Sequence, residues 1–575
     1  MARRGGAAHV VTTRRHYKGR VYETHLLRRT YREGGKVRNE TLANLSHLPA
    51  ETIELVRRSL RGEAFVPAGE AFRVVRSRPH GHVQCVLAMA RALDLPRLLD
   101  PRPSRERSLS VAMVCQRLLE PGSKLACVRA LSQSTLAEEL SVEGADADDL
   151  YAALDWLLAR QARIEARLAR RHLEAGTLVL YDVSSSYFEG RSCPLGRRGY
   201  SRDGKRGSLQ VVYGLLLDRE GRPIAVEVFD GHVHDDKTLL VQVEKLRRRF
   251  RLRTVVLALD RGMVTEANLE ALRAEQGIAW VSALKAPAVK KLVREGALQL
   301  SLFDELNLAE IACTDYPGER LVVCRNPFVA SERARTRAEL LAATERLLAP
   351  LTQRVEAGTL RGKAEIGLAV GAVANRYKVK KHFDFEITDE RFAFRRKEAE
   401  IAEEAALDGI YVLRTSVPAK ELSAPDVIRS YKTLAEAERA FRTLKGRELE
   451  IRPIHHRLEQ RVKAHVFLCT LAYYLEWHLR QAWVELTFED ESPPLAADPV
   501  AKAERSPAAK RKASSKRTAA GERCHSFRSL LRELSLVVRN TVELPGTGAS
   551  FATVTEPDPS QTRALELAGV AAKRP

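Results

Sequence analysis

The chain has 575 residues, 45% hydrophobic and 29% charged, the balance of a soluble globular protein with room for several domains and large cores. Lysine and arginine outnumber the acids by 95 to 74, a net charge of +21, and an excess of that size points to a polyanionic partner, most simply nucleic acid. No apolar run reaches the roughly twenty residues of a bilayer span, the N-terminus lacks a signal-peptide core, and the eight cysteines form no CxxC or Cys/His zinc spacing. Membrane, secreted and zinc-finger classes are thereby set aside, and a cytoplasmic protein with reduced thiols is expected.

Residues 1–66 read as a basic β/α segment. RVYETHLLRRTYRE (20–33) has strand composition with Arg28, Arg29 and Arg32 along it. Two readings stand: a basic sheet lying on phosphates, or a solvated hairpin. Residues 49–63 predict a short helix, acidic at its start and basic at its end as the helix dipole favours. Residues 67–172 predict a mainly helical region, a candidate for binding DNA ends. There LSVAMVCQRLL (109–119) is apolar at helical spacing, EPGS breaks it, and Ser123 caps a second helix, KLACVRALSQ. Such a corner resembles a helix-turn-helix, although many helical domains contain one. Residues 148–174 predict one long amphipathic helix.

An ordered α/β part follows. Strands are expected at 177–182, 210–218, 224–230, 254–260 and 278–285, with helices at 235–250 and 261–277. The order strand, hairpin, helix, strand, helix, strand is that of an RNase H-like mixed five-stranded sheet with helices on both faces, in which the first and fourth strands are neighbours. TLVLYD and TVVLALD are apolar runs that end in Asp182 and Asp260. A carboxylate at the exit of a buried strand is costly unless hydrogen-bonded, paired or bound to a cation. Neighbouring strands would set the two side by side.

The helix YKTLAEAERAFRTLK (431–445) aligns Tyr431, Leu434, Glu438, Phe441, Arg442 and Lys445 on one mixed face. Glu438 is either a solvated partner of Arg442 or a third carboxylate of the Asp182/Asp260 site. While 78 residues separate Asp182 from Asp260, 178 separate Asp260 from Glu438, more than a strand-to-helix connection needs. An α+β insertion is therefore expected at 301–404, with hairpins turning at Pro317-Gly318 and Thr388-Asp389. The catalytic domain is then 173–300 and 405–484, including a buried helix at 463–483. Residues 485–525, rich in Ala, Ser, Lys and Arg, predict a disordered basic linker, and 526–575 a C-terminal helix and tail.

Two aspartates and a glutamate, all hard oxygen donors, suit Mg²⁺ or Mn²⁺. Two such ions can clamp an in-line phosphoryl displacement. Arg442 and Lys445 fall where a DNA phosphate would enter, with Tyr431 on the same face, and Lys205 and Arg261 flank the strand exits. His232, His234, Asp235 and Asp236 read as a turn and helix cap rather than a metal cluster.

The run Tyr431-x2-Leu434-x3-Glu438-x6-Lys445 resembles the Tyr-x2-Arg-x3-Glu-x6-Lys signature of bacterial insertion-sequence DDE transposases. YDVSSSYFEG, GYSRDGKRG (199–207), DGHVHDDKTL (230–239) and LALDRGM (257–263) are similar to that group's other blocks, in the same order. The resemblance spans about residues 109 to 480. It implies an RNase H-like catalytic domain that binds terminal inverted repeats of double-stranded DNA, cuts by metal-dependent hydrolysis and joins 3′-hydroxyl ends to a target. It also implies a homodimer or higher synaptic assembly, at work on the bacterial nucleoid. By that match Asp182, Asp260 and Glu438 are the metal triad, and Tyr431 and Lys445 the DNA-contacting pair. Leu434 departs from the signature's Arg. The alternatives are a metal-dependent nuclease on the same fold, or an inactive DNA-binding derivative.

Overall fold

The computed structural model describes residues 6–63, 65, 71–298, 303, 307–494, 498–501, 503–545 and 548–570; the expected boundaries at 66/67 and 300/301 lie outside them. Contacts divide the chain into a small unit, Met1–Ser77 with Arg539–Val554, and a large one, Arg78–Val538 with Thr555–Pro575.

The large unit is built on one mixed sheet. Its strands are β1 (Leu178–Tyr187), β2 (Gln210–Asp218), β3 (Pro223–Asp230), β4 (Val255–Leu259), β5 (Ile278–Ala283), β6 (Leu308–Ile311), β7 (Arg320–Arg325) and β8 (Ile410–Thr415). They lie in the order β6-β7-β8-β5-β4-β1-β2-β3. β4 is parallel to β1 and β5, and the other pairings are antiparallel. Eight strands replace the expected five. The apolar edge of β5 is closed by β8, with Leu413 opposite Ala283, and β7 adds Leu321, Val322, Val323 and Cys324, all buried. An unpaired, apolar β5 edge would leave backbone donors and acceptors without partners. Two strands of the expected insertion thus belong to the main sheet. The rest of it, helices Pro327–Glu356 and Lys363–Ala374 with the hairpin Phe383–Ile387/Phe392–Arg396, packs around its own cluster of Leu341, Leu348, Ile366, Val370, Phe383 and Phe392.

β2 is buried along its whole length, and one glycine in it sets how closely β1 can pack. A Cβ on Gly214 would stand 2.3 Å from the hydroxyl of fully buried Tyr181 and 2.7 Å from its ring. Gly214→Ala is expected to cost about 1–3 kcal/mol, the range for overpacking a closed core, read as a lower urea midpoint at unchanged slope.

Helix Glu459–Ala482 packs against β3 and against helices Arg105–Leu119 and Ala147–Leu158. It is apolar on most sides, as a buried helix should be. Two of its buried polar side chains are matched: His465 Nε2 to the Ile451 carbonyl at 3.0 Å, and Glu476 to Arg480. The single helix expected at 148–174 is two, Ala147–Leu158 and Gln161–His172. At the break Arg160 pairs with Asp100 at 2.8 Å and lies over the Trp156 ring at 3.9 Å.

The stretch expected to be a disordered linker holds a helix, Pro507–Ser515. Ser506 caps it and is held by Asp490, hydroxyl to carboxylate at 2.6 Å. Buried Lys512 donates to Glu491 at 2.7 Å and to the Val484 carbonyl at 2.8 Å. Its polar groups find partners in the chain that precedes the helix, a pairing that composition does not reveal. The helix expected at 526–544 ends at Ser535, residues 538–544 and 549–554 are strands rather than helix and tail, and the rest of the expected tail holds a further helix, Pro559–Leu567.

In the small unit, strands Ala8–Tyr17, Arg20–Glu33 and Lys36–Asn44 form an antiparallel meander. Helix Ala50–Leu60 lies against it, with Arg57 hydrogen-bonded to Thr12. A second sheet joins Arg73–Pro79, Val538–Leu544 and Ala549–Val554. Among the described residues no helix is long and apolar enough to cross a membrane.

Candidate active site

β1 and β4 run parallel with Leu180 opposite Ala258 and Tyr181 opposite Leu259. The next residues in that register are Asp182 and Asp260. In-register neighbours on adjacent strands point to the same face, so the strand pairing itself brings the two carboxylates together. Burial, with the charges of Asp260 and Asp235, pushes the Asp182 carboxyl up to about 7; the Val183 N–H, donating to it at 2.7 Å, and Arg202 pull the other way. Asp260 accepts the Gly262 N–H at 3.2 Å in the turn after β4. A Cβ on Gly262 would sit 3.3 Å from Asp260 Oδ2 and 3.9 Å from Asp235 Oδ2. Glycine there leaves the approach to both carboxylates open.

Asp235, assigned from the sequence to a turn and helix cap, is therefore part of this acidic centre. It opens the short helical turn Asp235–Thr238 and pairs with Arg202. Beside it a cavity of 470 Å³ is lined by Arg202, His232, His234, Asp235 and Gly262, among others.

The helix expected over 431–445 is broken. Ala424–Lys432 and Leu434–Lys445 are separate helices, and at the junction Thr433 Oγ1 donates back to the Ser430 carbonyl at 2.7 Å. Tyr431 therefore falls in the last turn of the first helix, and Glu438 in the second. Tyr431 nevertheless sits at the centre of the charges. Burial first, then Asp260, Asp182 and Glu438, push its phenol up to about 12, against the pull of Arg261.

Glu438 lies on the exposed side of Leu434–Lys445, a helix that packs on β1 through buried Ala437, Ala440, Phe441 and Leu444. Among the described residues it makes no ion pair, so the alternative pairing with Arg442 is not formed. Nor do any three His, Cys, Asp or Glu among the described residues form a group ready to hold a metal ion. Asp182 and Asp260 are brought together; Glu438 shares their electrostatic neighbourhood at Tyr431 without closing a ligand set.

The expected DNA contacts separate. Arg442, Arg261 and Lys205 are exposed, with Lys205 Nζ 5.7 Å from the Tyr187 ring centre. Lys445 is instead largely buried and paired with Asp203 at 2.9 Å. Asp203, whose side chain is 1% exposed, also pairs with Arg452 and accepts the Tyr187 N–H at 3.2 Å. Leu434 packs its side chain against the main core. Asp203 and Arg202 escaped the sequence reading because SRDGKR has the composition of a solvated loop; the mixed charges inside the GYSRDGKRG block were the available signal.

The Transposase DDE domain family matches residues 176–475, just over half the chain and all of the acidic centre. The chain belongs to the DDE transposase family. A second match, IS1634 family transposase, N-terminal domain, covers residues 10–68. This transposase is therefore of the insertion-sequence type, an enzyme acting in DNA transposition. No curated protein matches it. Among solved structures, the cryo-EM structure of a piggyBac transposase synaptic complex with hairpin DNA is similar at 10% identity over 79% of this chain and 76% of that one. Its TM-score of 0.34 is too low to bear on the fold.

Proposed function

We propose that this transposase binds the inverted repeats at the ends of its element, cleaves the DNA by metal-dependent hydrolysis and transfers the 3′-hydroxyl ends to target DNA. On this reading β3-β2-β1-β4-β5 is an RNase H-like core, extended by β8, β7 and β6. Asp182 and Asp260 hold divalent Mg²⁺ or Mn²⁺, with Glu438 as third ligand. The donor chemistry fits: hard oxygens, with Asp182 raised to about 7 by burial first and then by the charges of Asp260 and Asp235. When bound, such ions activate an attacking oxygen and stabilise a leaving one.

The chain's own groups supply position and charge. Tyr431, protonated throughout the neutral range, donates a hydrogen bond to a phosphate oxygen and does not act as nucleophile. Arg261 and Arg442 neutralise the backbone on either side. Lys205 extends this basic rim, and Lys445 joins it on leaving Asp203. A homodimer or larger assembly would present two DNA ends together.

The register that sets Asp182 beside Asp260 carries this reading. The test is incubation of the purified protein with Mg²⁺ and linear DNA carrying the element's ends. Joined products are expected; cleavage without joining would make it a nuclease, and retention without cleavage a DNA-binding derivative. Arg442→Gln is expected to weaken DNA retention by ~3- to 10-fold and to lower the salt slope by about one, measured by titration over a range of KCl. An unchanged slope would remove Arg442 from the DNA path.

A further inference from the structure

The N-terminal meander has two chemically different faces. Side chains alternate along each strand, and the pairing fixes which lie together. On one face are Arg14, Glu23, His25, Arg29, Glu33, Lys36, Arg38 and Glu40, by the register Arg14–Glu23, Arg29–Glu40 and Glu33–Lys36. That face mixes four cations with three carboxylates. Arg14 pairs with Glu23 at 2.6 Å and Arg38 with Glu33 at 3.2 Å. It also meets helix Ala50–Leu60, through Thr12 and Arg57.

The opposite face has no acid. The pairs His9–Arg28, Arg15–Tyr22 and Tyr17–Arg20, with Arg32–Val37 and Thr30–Asn39, place Arg15, Arg20, Arg28 and Arg32 there among tyrosines, threonines and an asparagine. All three carboxylates of the meander lie on the other side. Tyr17 is 54% exposed and Tyr22 52%, and Arg15, Arg20 and Arg32 are exposed. None of these four arginines has an ion-pair partner among the described residues. Gathering like charges on one sheet face costs stability, and a merely solvated face would gain from interspersed acids such as those opposite. The central strand, Arg20–Glu33, has 14 residues, about 45 Å of extended chain, long enough to follow many phosphates of a duplex.

We propose that this acid-free face of the N-terminal sheet is a docking surface for the sugar-phosphate backbone of double-stranded DNA, with Arg15, Arg20, Arg28 and Arg32 on phosphates and Tyr17 and Tyr22 packing against the sugars. The surface rests on the reading of the chain as acting on DNA, but it lies in the small unit and needs no metal or catalysis. Its occupant is DNA rather than an acidic protein because arginine forks, tyrosines and small hydroxyls repeat along the strand as phosphates repeat along a duplex.

The test uses the full-length protein and a fluorescent mixed-sequence duplex of about 30 base pairs, without metal, titrated across a range of KCl. The combined variant Arg15→Gln, Arg20→Gln, Arg32→Gln is expected to bind ~10- to 100-fold more weakly and to lose roughly three from the slope of log affinity against log salt. The same positions changed to Lys keep the slope and most of the affinity. The control Arg14→Gln, Arg38→Gln, on the mixed-charge face, stays within about twofold of wild type. If wild type binds and the triple Gln variant matches it, or the control loses as much per charge removed, the surface is wrong while the transposase reading stands. If wild type retains no duplex at all, the proposed binding and cutting of DNA ends fails with it.

Discussion

Asp182→Asn is expected to lower DNA cleavage by ~100- to 1,000-fold or more, the scale of losing a group aimed at the reacting centre, while leaving DNA retention intact. The same substitution should make the metal-free protein more stable. The folded-state carboxyl stands near 7, above an unfolded value of about 3.9. Below about pH 4 both states bind the proton and the group costs nothing. Between these values the folded state binds more protons than the unfolded one, so stability falls as pH rises, and above 7 the full cost is present. The amide removes that cost. The gain should therefore be on the order of 2 kcal/mol at pH 8, less than the whole shift converts to because the carboxylate is partly solvated, and should vanish by pH 4. Urea unfolding of both proteins at the two pH values checks it. Equal stability at pH 8 would mean that burial and the neighbouring acids do not penalise the Asp182 carboxylate, and retained cleavage would remove Asp182 from the site.

Asp203→Ala should be the most destabilising single change near the site. The Asp203 side chain is 1% exposed and lies against Lys445, 11% exposed, and Arg452. Removing the anion leaves a buried cation without its partner, a loss of about 3–5 kcal/mol. The double variant Asp203→Ala, Lys445→Met, with the buried charge removed as well, should recover part of that stability. Urea midpoints for the two variants and wild type decide it. A single variant within about 0.5 kcal/mol of wild type would show that Lys445 leaves the cluster readily and that Asp203 is not what fixes it.

The paired aspartates were legible because strand chemistry is local. TLVLYD and TVVLALD end at the same level of neighbouring strands, and each run declares its own length. The sheet's true width was not, since the strands that extend it return through a long insertion and their pairing with the β5 edge is non-local. The break between Tyr431 and Glu438 was hidden because Thr433 is compatible with a helix; only its hydroxyl, bonded back to Ser430, marks the junction. Asp203 was unreadable for a related reason. Its partners are 242 and 249 residues away in sequence, so a buried ion cluster looked like a solvated loop.

Iron-directed backbone cleavage tests the convergence of Asp182, Asp260 and Glu438 most directly. Iron(II) in place of the native ion, with ascorbate and peroxide, generates radicals that cut polypeptide beside the bound metal. Carried out with DNA bound, the reaction should cut in three places: within β1, at the end of β4, and in helix Leu434–Lys445. Asp182→Asn should suppress all three. Cuts confined to the two strands, with none around Glu438, would contradict a shared site built from all three carboxylates.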